Sequence, residues 1–181
     1  MTSQLINNTT HVETATAATD EPGARRLDYA RALPEASRAM QGLEDVVKAS
    51  TLEPKLRELV KLRASLINGC AYCVDMHTKD AVAIGEDEQR LHFVSVWQEA
   101  PVFSARERAA LAWTDALTRI ADTGAPDDAY TAVAREFDPA EQVALTLAIS
   151  AINGWNRLSV GFRTPTGSYV SHRHPQPVSA G

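Results

Sequence analysis

An all-helical fold, a compact antiparallel bundle of about six to eight helices, is what this sequence predicts, and three observations predict it. Apolar residues recur at three- and four-residue spacing in one stretch after another, while no segment sustains the alternation of a half-buried strand. The two Asn-Gly pairs, Asn68-Gly69 and Asn153-Gly154, follow helical patterns instead of separating two strand-like runs. Connections of about two to six residues make successive helices antiparallel neighbours. The 181 residues suit one domain with appendages, and 44% hydrophobic residues are enough for a core that needs no disulfide staples.

Residues 1–24 carry few large apolar side chains, so a flexible N-terminal tail is expected there. The helical domain then covers 25–165, and a C-terminal tail covers 166–181, where Pro, Gly, Ser and His return. From Pro34, suited to a first helical turn, Ala36, Ala39, Met40, Leu43, Val46 and Val47 line one face. The next stretch, 53–68, sets Leu56, Leu59, Val60, Leu66 and Ile67 on one side and Arg57, Lys61 and Arg63 mostly elsewhere, with Gly69 as its stop. A third helix starts at the cysteines and runs to Ile84, where Gly85 supplies a left-handed turn. A fourth, over 87–99, turns Leu91, Val94 and Trp97 inward and ends before Pro101.

Ser104-Ala105-Arg106-Glu107 reads as a capping box opening a helix that lasts to about Ala121. Asp127 is expected to cap a short helix bearing Tyr130, Val133 and Phe137. Asp138-Pro139-Ala140-Glu141 opens the last helix, which runs to about Arg163. That helix is apolar nearly all round between Val143 and Ile152, so it should be the most buried.

Charge and hydropathy exclude some functions. Eighteen Lys and Arg against 23 Asp and Glu leave a net charge of −5, and the basic residues are scattered, so nucleic acid is not an expected partner. The longest apolar run, over 143–152, is far shorter than the roughly 20 residues of a membrane helix, and no membrane association is expected. Nothing at the N-terminus resembles a secretory signal, which makes the cytoplasm the expected compartment and reduced thiols the expected state.

Only two cysteines exist, and they stand three apart in Cys70-Ala71-Tyr72-Cys73. On a helix Cys70, Cys73 and His77 share one face within an arc of about 60 degrees. A thiol reacts as thiolate, and both a helix N-terminus and a cationic imidazole favour that form. Glu58 lies on the preceding helix; antiparallel packing would bring its carboxylate toward Cys73 and His77, where burial would raise its pKa toward neutrality and suit it to proton transfer. Simpler readings stand beside these: the cysteines as small core hydrophobes, His77 as a satisfied histidine, and Glu58 as a surface carboxylate paired with Lys55 or Lys61. Covalent haem attachment would need His where Val74 stands, structural zinc would need ligands that the sequence does not cluster, and a thioredoxin-like site would need a strand. Those three chemistries recede.

Glu58, the stretch Leu62-Arg63-Ala64-Ser65-Leu66-Ile67-Asn68-Gly69 and the following Cys70-Ala71-Tyr72-Cys73-Val74-Asp75-Met76-His77 resemble the signature of the alkylhydroperoxidase D-like proteins of the carboxymuconolactone decarboxylase superfamily. Residues 103–113 and 152–157 are also similar to this branch. The resemblance implies an all-helical subunit assembling into trimers or hexamers, and a cofactor-free, antioxidant peroxidase whose CxxC pair cycles between dithiol and disulfide. It makes Cys73 the thiol that attacks peroxide, Cys70 the resolving thiol, and Glu58 with His77 the proton relay; the electron donor would be a thiol or lipoyl-type dithiol. The helix dipole, strongest in the first turn, would instead favour Cys70 as the thiolate. Where the well-known hydroperoxidases carry a His between the cysteines this chain has Tyr72, a phenol that is neutral at about pH 7 and is expected to contact substrate. Decarboxylase members generally lack the Cys pair.

Three functions follow from these residues. The first is a peroxidase acting on hydrogen peroxide or organic hydroperoxides, and the second a dithiol-disulfide reductase or redox sensor. The third is a helical oligomer without catalysis, or a decarboxylating enzyme using Glu58 and His77 alone. Trp97, Trp113 and Trp155 with Phe93 and Phe103 offer more large apolar surface than a small bundle must bury, so a homo-oligomer is expected.

Overall fold

The computed structural model describes residues 24–173 and contains, among them, nine α-helical segments and no strand. The tail expected over 1–24 lies, but for residue 24, outside the described residues. The helices are α1 (Tyr29–Ala32), α2 (Pro34–Ala49), α3 (Pro54–Ile67), α4 (Ala71–Ala83), α5 (Glu88–Phe93), α6 (Ala105–Thr118), α7 (Ile120–Thr123), α8 (Asp127–Glu136) and α9 (Pro139–Phe162). Two of them, α1 and α7, are single turns of four residues.

The order of the bundle follows from α3, which packs against α4, α6 and α9. Its Leu59, Val60 and Leu62 are buried, and they divide the core in two. Leu56 and Val60 meet Leu145 and Ile149 of α9, Ala110 of α6 and Phe137. Leu59 and Leu62 meet Ala81 of α4, Leu111 of α6, and Val94, Trp97 and Phe103. Each such leucine contributes about 2 kcal/mol by leaving water.

Because helices surround α3, little beyond its first turn, where Lys55 is exposed, is left for solvent. Lys61 and Arg63, expected away from the core, are buried with it. Each is neutralised by a partner brought from another helix, since an unpaired buried charge would cost several kcal/mol, about 3 or more. Lys61 pairs with Glu44 of α2. Arg63 binds Asp115 of α6 through two nitrogens, at 2.5 and 2.9 Å. Arg57 donates to the carbonyls of Val47 and Lys48 at 3.0 Å, satisfying the C-terminal end of α2.

The helix expected over 87–99 breaks after Phe93 into a 3-10 turn, Val94–Val96. Arg63 takes the Val94 and Ser95 carbonyls at 3.3 and 2.9 Å, and Arg108 takes those of Trp97, Gln98 and Ala100. These oxygens accept side-chain donors in place of a continuing helical ladder. The Ser104 capping box is formed as expected, whereas Asp127 is not a cap: Pro126 occupies that position and Asp127 lies in the acidic first turn of α8. The capping box of Asp138 and Glu141 starts α9, whose Ala148, Ile149, Ala151 and Ile152 are buried.

The segment after α9, expected as a tail from 166, carries no secondary structure up to 173 and lies along α4. Thr166 and Gly167 donate to the Ala71 carbonyl and the Asp75 carboxylate at 3.5 and 3.3 Å, and Lys79 donates to the Tyr169 carbonyl at 2.9 Å.

Candidate active site

The passage from α3 to α4 takes three residues. Asn68 caps α3, and Gly69 turns the chain with a φ of 65°, a left-handed value that glycine adopts without penalty. The Cys70 amide then reaches back to the Ser65 carbonyl at 3.0 Å and the Gly69 amide to that of Leu66 at 3.3 Å, the paired bonds of a Schellman ending. Cys70 is at the same time the N-cap of α4, and its sulfur accepts the Cys73 amide at 3.3 Å. The turn is pinned from α9: Asn68 donates to the side-chain oxygens of Asn153 and Asn156, each at 2.9 Å, and Asn156 donates to Ser65 at 3.1 Å.

This geometry sets the cysteines at the start of α4 with their Cα atoms 5.3 Å apart, joined as a disulfide. Both are buried, at 1% exposure. One turn further along, His77 points its Nδ1 at Glu58 Oε2 of α3, 2.7 Å away. The antiparallel packing of α3 and α4 therefore brings Glu58 to His77, and the pairing of Glu58 with Lys55 or Lys61 does not form: Lys55 binds the Gly85 carbonyl and Lys61 binds Glu44. The other ring nitrogen, His77 Nε2, is buried without a hydrogen-bond partner among the described residues.

A cavity of about 260 Å³ opens against this cluster. Cys73, His77 and Tyr72 line it, together with Tyr29, Trp155 and Arg173; Cys70 does not. The Tyr72 ring meets Tyr169 edge-on, with centroids 6.5 Å apart. Burial raises the Tyr72 phenol above its ordinary pKa, with Tyr29, Asp75 and Asp80 adding to the effect, so the phenol stays protonated at neutral pH. A larger hollow of about 750 Å³ lies between Val74, Val82 and Leu91 on one side and residues 169–171 on the other, but neither cysteine reaches it.

Glu58 does not follow the expectation that burial carries it toward neutrality. Burial does push its pKa up, but the hydrogen bond and charge of His77, with the charges of Lys61 and Arg173, outweigh it and lower the carboxyl to about 2. Glu58 is thus an anion at neutral pH and an acceptor for the His77 N–H.

Two side chains beside this pair were missed in the sequence reading. Asp80, one turn beyond His77 on α4 and buried, accepts hydrogen bonds from the Tyr169 and Ser171 hydroxyls at 2.8 and 2.6 Å. Arg173 lies 2.9 Å from Glu58 Oε1 and 3.1 Å from Asp80 Oδ2, ion-pair distances without hydrogen-bond alignment. Asp80 had a usable signal, its three-residue spacing from His77; Arg173 had none, standing in a stretch of Pro, Gly, Ser and His. Glu58, His77 and Asp80 each offer a ligand atom within 4.8 Å of the others, a grouping that suits a divalent metal, and here the Arg173 guanidinium supplies positive charge to its two carboxylates.

Residues 34–116 match the carboxymuconolactone decarboxylase family. The protein YdfG of Bacillus subtilis is 39% identical over 137 residues, which cover 76% of this chain and 93% of YdfG. A crystal structure from Agrobacterium tumefaciens, of a protein of unknown function offered as a candidate antioxidant defence protein AhpD, is 50% identical. It superposes with a TM-score of 0.77 over 80% of this chain and 99% of that one. A peroxidase-related protein from Silicibacter, 19% identical, shares the fold at a TM-score of 0.67 over 77% of this chain and 74% of its own. On this family match and these relatives, the chain belongs to the carboxymuconolactone decarboxylase family, in its alkylhydroperoxidase D-like branch.

Proposed function

We propose that this protein is a cofactor-free thiol peroxidase that reduces hydrogen peroxide or an organic hydroperoxide at Cys73. One observation carries the reading: of two sulfurs within disulfide reach, the one lining the cavity is Cys73, and the same cavity holds the histidine that Glu58 orients. Access thereby outweighs the helix dipole, which favours Cys70. The position of Cys70 at the N-cap suits it to the resolving step, because the amide on its sulfur favours the thiolate.

In the reduced protein His77 Nε2 takes the Cys73 thiol proton while Glu58 holds Nδ1–H. The Cys73 thiolate attacks one peroxide oxygen and the O–O bond breaks. The departing oxygen takes the proton from His77 and leaves as alcohol or water, and Cys73 becomes a sulfenic acid. Cys70 then attacks the Cys73 sulfur; hydroxide leaves and takes the Cys70 thiol proton as water, which closes the disulfide. Two external thiols, or one lipoyl-type dithiol, return two electrons and two protons and leave as a disulfide. Tyr72, a protonated phenol on the cavity wall, donates to the bound peroxide in this scheme. The likeness to the Agrobacterium protein supports the same chemistry.

Stopped-flow oxidation of the reduced protein tests this. One peroxide consumed per two thiols, with formation of the Cys70-Cys73 disulfide, is expected. Thiols inert to every peroxide yet quick to exchange with disulfides would replace the reading with dithiol-disulfide reduction, and thiols inert to both would leave a helical protein without thiol catalysis.

A further inference from the structure

We infer that Arg173 is a positioning residue of the thiol site, and that residues 164–173 form a strap across α4 whose task is to deliver it. The inference rests on the peroxidase reading only for the name of the reaction that Arg173 serves. Its basis is geometric.

Four observations converge on the strap. Its Tyr169 and Ser171 hydroxyls both donate to the buried Asp80 carboxylate, so the strap is fastened to α4 one turn beyond His77. Arg173 then sits between Asp80 and Glu58, which belong to different helices, and closes a bridge from α4 to α3. Glu58 consequently has one oxygen for His77 and the other for Arg173. Finally, Arg173 lines the cavity that Cys73 and His77 line, at 29% side-chain exposure, so the strap contributes to the cavity wall.

The chemistry of such a bridge is specific. A buried carboxylate with a single cationic neighbour can rotate or take up a proton, and either change would release the imidazole. Arg173 on Oε1 adds to His77 and Lys61 in keeping Glu58 ionised and holds its Oε2 on Nδ1–H, which leaves Nε2, buried without a partner among the described residues, as the free lone pair. The guanidinium also adds positive charge to a cavity where a thiolate must form. Other charged groups face the same space, Glu44 and Lys48 from α2 and Lys61 from α3, and Lys61 is already neutralised by Glu44. Lys61 acts on Glu58 only through its charge, whereas Arg173 stands at ion-pair distance from it.

The test compares the wild type with Arg173→Gln, Arg173→Lys and Tyr169→Phe in the full chain. The fully reduced proteins are alkylated with iodoacetamide across a range of pH, with Cys73 followed by mass spectrometry, and are separately oxidised with hydrogen peroxide. In R173Q the midpoint for Cys73 alkylation should move up by about one pH unit, and peroxide oxidation near neutral pH should slow by about tenfold. R173K, which keeps the charge but reaches one carboxylate instead of two, should recover most of the midpoint and part of the rate. Y169F, which loosens the strap and leaves Arg173 in place, should change both by less than R173Q does. An R173Q alkylation profile that superposes on the wild type would overturn the inference and leave the strap as packing alone, and a Y169F profile that superposes on the wild type would overturn the strap as the means of delivery. Wild-type thiols that ignore peroxide while the R173Q shift persists would instead overturn the peroxidase reading and keep this one.

Discussion

Cys70 and Cys73 differ by one turn of helix, and that turn divides the work between them. Cys73→Ser should abolish peroxide consumption, whereas Cys70→Ser should still be oxidised once, to a sulfenic acid that a dimedone-type reagent traps and mass spectrometry detects. The reverse pattern would hand the nucleophile role to the residue favoured by the helix dipole. Glu58 can be tested twice. Glu58→Gln should slow Cys73 oxidation by about 10²-fold or more near neutral pH, and the defect should shrink as pH rises through about 8.5, where a thiol ionises unaided. The same carboxyl contributes to stability. Its pKa falls on folding from 4.5 to about 2, so its contribution is complete above the unfolded value and is lost as pH falls through the folded one. Denaturant unfolding between about pH 5 and pH 2 should therefore show a flatter loss of stability in E58Q than in the wild type. Parallel curves would mean that Glu58 is not held ionised by its neighbours.

Among the elements, the connection between α3 and α4 has the least freedom. Gly69 has a φ of 65°, and a methyl group added there meets nothing within 4 Å, so the cost of Gly69→Ala is conformational and not steric. It should amount to about 1 kcal/mol in denaturant unfolding, and it should slow disulfide formation because the Cys70 cap depends on that turn. Gly154 makes the contrast. Its φ is ordinary, and an added Cβ would lie 2.7 Å from Met40 Cε, the far end of a flexible side chain that can move aside. Gly154→Ala should cost less than Gly69→Ala, and the opposite order would show that close approach of α2 to α9 outweighs the backbone constraint at residue 69.

At the scale of the whole molecule, the aromatic surface that suggested association is partly buried within the subunit. Trp97 and Phe103 lie in the core, at 7% and 5% exposure. What stays outside is largely aliphatic. Val143 is 69% exposed, and it lines a groove with Pro139, Leu147 and Tyr130 between α8 and α9. Ile120 and Val96 are also more than half exposed. We expect a homo-oligomer, a trimer or hexamer, that covers part of this surface. Light scattering at micromolar concentration checks it, and a monomer there rejects it. No helix among the described residues is long and apolar enough to cross a membrane.

Features whose causes lie within a few residues of one another are legible in the sequence. The Ser104-Glu107 and Asp138-Glu141 caps, the Gly69 and Gly85 stops and the common face of Cys70, Cys73 and His77 all depend on spacings of three or four, which a helix imposes locally. The break after Phe93 was not legible, because the guanidinium that takes its carbonyls comes from Arg63, on α3, some 30 residues earlier in the chain. The same holds for the charge of Glu58. Burial alone argues for a raised pKa, and the arrival of His77 and Arg173 from other parts of the chain, beside Lys61 of α3 itself, reverses the sign. Helix periodicity is a property of neighbours in sequence, whereas desolvation and Coulomb energy depend on neighbours in space; for that reason the tertiary structure alone decided how this site is charged and that residue 173 belongs to it.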